Sequence, residues 1–133
     1  MVANRAMAQA WAAGKHAAGG KTPPFRPESV VSAVYSAPQV AQVGSLAGRR
    51  ARLSYGAAMK PHLGEHAAGF IEMAVAEDGR LLGALAVGDH AADLLAPVAV
   101  AIQAGMDAAH FGALYAAHPT VSELAFMVAR QFN

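Results

Sequence analysis

Six residues near the C-terminus, His118-Pro119-Thr120-Val121-Ser122-Glu123, set an imidazole and a carboxylate five positions apart at the start of an apolar stretch. Such a pair can move protons. An imidazole titrates near neutrality, and a carboxylate beside it favours its charged form and fixes its tautomer. The same residues also spell a helix start. Thr120-Val121-Ser122-Glu123 fits a capping box, with Thr120 as N-cap and Glu123 at N3 reaching back to the Thr120 backbone. Both readings stand together, because a carboxylate has about four lone-pair sites. A second spelling, "HLGEH" at residues 62–66, matches the His-x-x-Glu-His order of one class of zinc peptidases. That chemistry needs a helix, and Pro61 before it with Gly64 inside it favours a loop instead, so no metal site is expected. His90 and His110 have no evident partner, and His16 reads as a surface residue.

The elements that must position these groups follow from periodicity. Residues 3–18 predict a helix with Ala6, Met7, Ala10, Trp11 and Ala13 along one stripe, ended by Gly19 and Gly20. "KTPPFRPE" at 21–28 is a proline-rich connector. "SVVSAVYS", "VAQVG" and "RRARLSYG" predict three strands, and residues 57–68 predict a loop. "GFIEMAV" and "RLLGALAVG" predict a hairpin turning at Asp78-Gly79, in which Gly83 weakens its strand or marks a close backbone approach. A helix over 91–105 must kink or split at Pro97, "DAAHFGALY" is short helix or turn, and a last helix starts at Val121 with Val121, Leu124, Ala125, Val128 and Phe132 inward. The expectation is α+β: an antiparallel sheet of about four to five strands covered on one face by helices, with an extra N-terminal helix. The scattered methionines and the aromatics Tyr35, Phe70, Phe111, Tyr115 and Phe126 read as core filling.

Composition narrows the classes of function. The 133 residues carry 55% hydrophobic side chains, 14% charged ones and a formal net charge of +1. That balance offers no clustered cations for nucleic acid or an acidic membrane, and it suggests that another protein covers part of the surface. There is no cysteine, hence no disulfide, thiolate ligand or redox dithiol. The N-terminal stretch lacks acidic residues before Glu28 and has Arg5, Lys15, Lys21 and Arg26. An ordinary surface helix is the first reading of it and a transit peptide the second. "AADLLAPVAVAIQAG" is too short to span a bilayer, and a soluble, cytoplasmic protein is expected. No GxGxxG, Walker-type loop or Gly-x-Ser-x-Gly occurs.

Taken together, "PESVVSAVYSAPQVAQVG", "GFIEMAVAEDGRLLGALAVGDHAADLLAPVAVAIQAGM" and "HPTVSE" resemble the C-terminal interface domain of the pyridine nucleotide-disulfide oxidoreductases, the family of dihydrolipoamide dehydrogenase, glutathione reductase and mercuric reductase. Order and spacing agree through residues 27–133, and "ANRAMAQAWAAGKHAAGG" is similar to the last helix of the flavin domain in such enzymes. The resemblance implies three regions: 1–20 as that helix, 21–28 as connector, and 29–133 as the dimerisation domain. It implies a homodimer in which His118 serves as acid–base catalyst in the partner subunit's site, with Glu123 orienting it and His118 and Pro119 lying near the partner's flavin.

The resemblance also implies FAD and NAD(P) in a full-length relative working in redox homeostasis. None is expected to bind this chain alone, which lacks the dinucleotide fingerprint and the cysteine pair and is therefore expected to need a flavoprotein partner for turnover. Two departures stand out. Only "SLAGRRARL" follows "VAQVG", where the family has a longer helical segment, which puts the sheet's covering layer in question. Ala116 stands where some members carry another His. A stand-alone homodimeric module without redox role is the alternative function.

Overall fold

The computed structural model describes residues 3–23, 25–63 and 68–132. Helix α1, Ala3–Ala17, leads through an irregular segment and a 3₁₀ turn at Pro27–Ser29 into the strands. These are β1 Ser32–Val34, β2 Val40–Gly44, β3 Arg49–Ser54, β4 Phe70–Val75 and β5 Leu81–Val87. Four helices follow: α2 Ala91–Leu94, α3 Ala96–Gln103, α4 Ala108–Gly112 and α5 Glu123–Ala129. The five strands form one antiparallel sheet in the order β1-β2-β5-β4-β3. The α+β expectation therefore holds.

Alternation along the strands makes the layers. Ala41 and Val43 of β2, Ile71, Met73 and Val75 of β4, and Ala84 and Ala86 of β5 are buried, while Gln42, Arg50, Arg52 and Ser54 are exposed. The inward set packs under α2 and α3 at the β2–β5 side and under α5 at the β3–β4 side. The bulk of the core comes from both layers: Val43, Ile71, Met73 and Val75 from the sheet, and Leu94, Leu95, Val98, Phe111, Leu124 and Val128 from the helical side. The short link after β2 leaves this covering layer intact, because all four covering helices come from residues after β5.

Punctuation residues explain the breaks. Pro97 splits the helix expected over 91–105: it sits in the first turn of α3, where its missing N–H costs nothing. Gly105, at φ +68°, closes α3, with Met106 N–H donating to Ala101 O and Gly105 N–H to Ile102 O. Gly79, at φ +84°, makes the β4–β5 turn. Gly83 marks the close approach: a Cβ there would lie 2.5 Å from Ser45 N, where the chain leaving β2 folds against β5.

Several expectations need correcting. The first strand pairs over only three residues of the expected eight, because it is an edge strand whose chain turns away at Ser36–Pro38. The expected loop after β3 contains 3₁₀ turns at Tyr55–Ala57 and Lys60–Leu63. Met7, Met59, Tyr35 and Tyr115 are exposed rather than core. Tyr55, not singled out by any pattern, is core: its ring is 1% exposed between Gly69 and Gly88, and its hydroxyl donates to Asp89 O at 3.0 Å. Burial, reinforced by the nearby Asp89 charge, pushes the Tyr55 hydroxyl up to about 12. The α1 stripe is likewise open. Trp11 is 61% exposed beside a groove lined also by Phe25, Val30 and Val31 and by Ala96 and Ala99 of α3.

Candidate functional site

His118 and Glu123 meet. Helix α5 begins at Glu123, and its inner face of Leu124, Ala125, Val128 and Ala129 is buried under the sheet. Phe126 packs on Phe111 of α4 with ring centroids 4.8 Å apart, which locks α4 and α5 together. Glu123 is thus presented from a rigid base. His118 lies on the turn before α5 and the His118–Pro119 peptide is cis. Its Nδ1 is 2.9 Å from Glu123 Oε1. A carboxylate only accepts, so Nδ1 carries the hydrogen and the neutral ring leaves Nε2 as an acceptor. Nε2 makes no hydrogen bond among the described residues, and the side chain is 67% exposed.

The expected capping box is half made. The Thr120 backbone N–H donates to Glu123 Oε2 at 2.9 Å, as the box requires. The Thr120 hydroxyl instead donates backwards to Ala117 O at 2.7 Å, and the helix starts two residues later than Val121, with Ser122 at the N-cap making no side-chain bond. The physical reason is local: the turn places Ala117 O within reach of the hydroxyl, and Ser/Thr side chains readily take such neighbouring partners. Glu123 therefore divides its oxygens, one to the backbone of the turn and one to the imidazole.

That division shapes its electrostatics. The hydrogen bond from His118, then the one from the Thr120 N–H, hold the Glu123 carboxyl below the usual carboxylate value, against the opposing effect of partial burial. The carboxylate is 21% exposed, so it is screened less than the ring it orients. Around the pair the surface mixes apolar and charged groups. Leu114 and Tyr115 are 45% and 85% exposed, and a small cleft of about 160 Å³ lined by Tyr115, Ala116, Glu123, Phe126, Met127 and Arg130 lies alongside. Pro119 is exposed at the tip of the same turn.

The other imidazoles have partners that sequence reading missed. His110 Nδ1 lies 2.8 and 2.9 Å from the two oxygens of Asp107, the N-cap of α4. The signal was present as Asp107-x-x-His110, the spacing of a cap and its third helical residue. Asp107 is held below the usual carboxylate value, first by the His110 N–H and then by the ring. His90 makes a longer, 3.4 Å contact with Asp93. In "HLGEH", His62 sits in a 3₁₀ turn with Nε2 3.0 Å from Gly56 O, and the remainder of the spelling, 64–66, lies outside the described residues. No cluster of three metal-ligating side chains occurs among the described residues. No helix among them is long and apolar enough to cross a membrane.

Comparison with known proteins places the chain in a family. Residues 30–128 match the pyridine nucleotide-disulphide oxidoreductase dimerisation domain. Glutathione reductase from Burkholderia cepacia is 38% identical over 115 residues, covering 79% of this chain and 26% of that protein. Dihydrolipoyl dehydrogenase from Geobacillus stearothermophilus is 40% identical over 62 residues, 46% of this chain and 13% of that protein. Among solved structures, LpdA from Mycobacterium tuberculosis superposes with a TM-score of 0.83 at 25% identity, over 91% of this chain and 28% of that one. The HOCl-induced flavoprotein disulfide reductase RclA from Escherichia coli shares the fold, with a TM-score of 0.78 at 16% identity over 90% of this chain and 30% of that one. The chain thus spans about a quarter or less of the length of the curated relatives it matches.

Proposed function

The chain belongs to the pyridine nucleotide-disulphide oxidoreductase dimerisation-domain family, and we propose that it pairs two subunits of a flavoprotein disulfide oxidoreductase and lends His118 to the partner subunit's active site. The observation that carries this reading is the 2.9 Å bond between His118 Nδ1 and Glu123 Oε1, with Nε2 left open on an exposed ring. Glu123 fixes the tautomer and holds the ring. Nε2 is then the atom that exchanges a proton with sulfur: as imidazolium it protonates the thiolate leaving a disulfide, and as neutral imidazole it takes a proton from an attacking thiol. Leu114 and Tyr115 supply part of the surface a second subunit would cover.

FAD and NAD(P) belong to this reading through the body of such an enzyme. His118 and Pro119 fit the rim of a flavin site rather than a pocket for one, since both are exposed at the tip of a turn. A flavin bound by that body would supply the electrons that open the disulfide. Holding FAD and NAD(P), and residence in the cytoplasm, rest on the family and are proposed with it.

Light scattering over a wide concentration range tests the pairing: a dimer is expected, and a monomer at every concentration overturns it. The catalytic part is tested in the flavoprotein that carries this domain. His118→Gln should lower disulfide turnover by about 10²- to 10⁴-fold, the usual contribution of a positioned acid–base group. A dimer whose turnover ignores His118 would favour the stand-alone module.

A further inference from the structure

Three sets of contacts hold the turn that bears His118 in shape and in place. Two are already described: Thr120 Oγ1 to Ala117 O, and Glu123 to the Thr120 N–H and the ring. The third is Arg130, just past α5. Its Nε donates to Gly112 O at 2.7 Å and its Nη2 to Leu114 O at 3.2 Å, while the guanidinium lies 5.2 Å from the centre of the Tyr115 ring. One planar cation therefore grips the last turn of α4 and the first residues of the loop leading to His118. A guanidinium suits this use because its donors form a rigid fork, which fixes direction as well as distance.

The surroundings are fitted to the grip. Gly112 packs under the Arg130 stem: a Cβ there would meet Arg130 Cγ at 3.1 Å and Arg130 N at 3.3 Å, so the missing side chain is what lets the stem pass. Between Leu114 and Pro119 no loop N–H makes a backbone–backbone hydrogen bond among the described residues. Leu114 N–H still returns to Phe111 O at 3.1 Å, and the next tie on the loop is the Thr120 hydroxyl on Ala117 O. With so few bonds of its own, the direction of the loop is set at its entry, where Arg130 acts.

We propose that Arg130 is a positioning residue for His118: by clamping Gly112 O and Leu114 O it aims the 113–118 loop so that the imidazole reaches Glu123 and presents Nε2 outward. This rests on the reading of His118 as the working group, but it concerns only how the ring is held. Arg130 touches neither His118 nor any reacting atom in this account.

The test uses the chain itself and reads the His118–Glu123 bond without turnover. The Glu123 side-chain carboxyl is followed by carbon NMR through an acid titration in the wild type, His118→Gln, Arg130→Met and Arg130→Lys, with Val128→Ala as a destabilised control. In the wild type the bond from His118 keeps the Glu123 midpoint low, and His118→Gln should raise it. Arg130→Met should raise it by at least half as much, Arg130→Lys by less, since an ammonium keeps one donor near the two carbonyls. Val128→Ala should lower Tm without moving the midpoint. If Arg130→Met leaves the Glu123 midpoint at the wild-type value, the proposal is wrong. Should Arg130→Met fail to fold, Arg130→Lys decides alone: an unmoved midpoint overturns the proposal and a partial rise supports it. A catalytically idle His118 in the flavoprotein would overturn the proposed function while leaving this result untouched.

Discussion

Among the described residues two imidazole–carboxylate pairs lie closer than the 3.4 Å of His90–Asp93: 2.9 Å for His118–Glu123 and 2.8 Å for His110–Asp107, and they are not equivalent. In the second pair the carboxylate and the ring sit on one short helix. Both Asp107 oxygens serve His110, one of them shared between its N–H and its ring. The arrangement is a cap that closes on itself, and ring and carboxylate move together. In the first pair the carboxylate belongs to a helix and the ring to the turn before it. Glu123 spends one oxygen on the turn's backbone and the other on the ring, so the bond joins two different elements. Exposure differs in the same sense: Glu123 is 21% exposed against 37% for Asp107. A short distance identifies a pair. What the carboxylate is anchored to decides whether the pair can aim a group at something else.

The largest expected effect breaks that comparison directly. In the flavoprotein, His118→Gln should cost about two to four powers of ten in turnover, and Glu123→Gln less, because a misaimed imidazole still exchanges protons. His110→Gln should leave turnover as it was. Steady-state rates of the three variants check the ordering, and a His110 variant as damaged as the His118 variant would mean that the two pairs had been assigned the wrong way round.

Sequence reading reached most of this architecture because its strongest signals were local. The Asp78-Gly79 turn, the break at Pro97 and the stop at Gly105 each depend on one residue's backbone preferences, and each holds in the structure. The His118–Glu123 meeting was legible for a related reason, since five residues around a turn leave the two groups few alternatives. What was not legible depends on contacts distant in sequence. Tyr55 is core because Gly69 and Gly88 make room for its ring, and Asp89 O, 34 residues on, takes its hydroxyl. Tyr115 looks like core by type yet lies on the surface beneath Arg130, whose two carbonyl partners are 16 and 18 residues back. The Thr120 hydroxyl missed its expected capping role because it bonds Ala117 O within the turn, which no pattern of residue types reports.

A middle-sized effect sharpens the idea of anchoring. Leu124 is fully buried immediately after Glu123 and holds α5 to the sheet. Leu124→Ala should cost about 2–5 kcal/mol of unfolding free energy, the range for a truncated buried leucine. Urea denaturation measures it. Leu114→Ala, on the exposed rim beside His118, should change stability little. If the two substitutions cost the same, the rigid base under Glu123 is not where the structure puts it.

The smallest effect concerns acid. Folding lowers the Glu123 carboxyl below its usual value of 4.5, with the His118 bond the first cause. A group lowered by folding stabilises the native state fully above its unfolded value, and that stabilisation is lost as pH falls through the lower, folded one. Asp107 obeys the same sign from its usual value of 3.8. Glu123→Gln and Asp107→Asn should therefore each flatten part of the fall in stability on acidification. Urea midpoints at closely spaced pH values measure the two contributions. His118→Gln should reproduce only part of the Glu123→Gln flattening, because the Thr120 N–H still holds the carboxylate once the ring is gone. A His118 variant with the full effect would mean that the backbone bond contributes nothing, and Glu123 would then be as self-contained a partner of its imidazole as Asp107 is of His110.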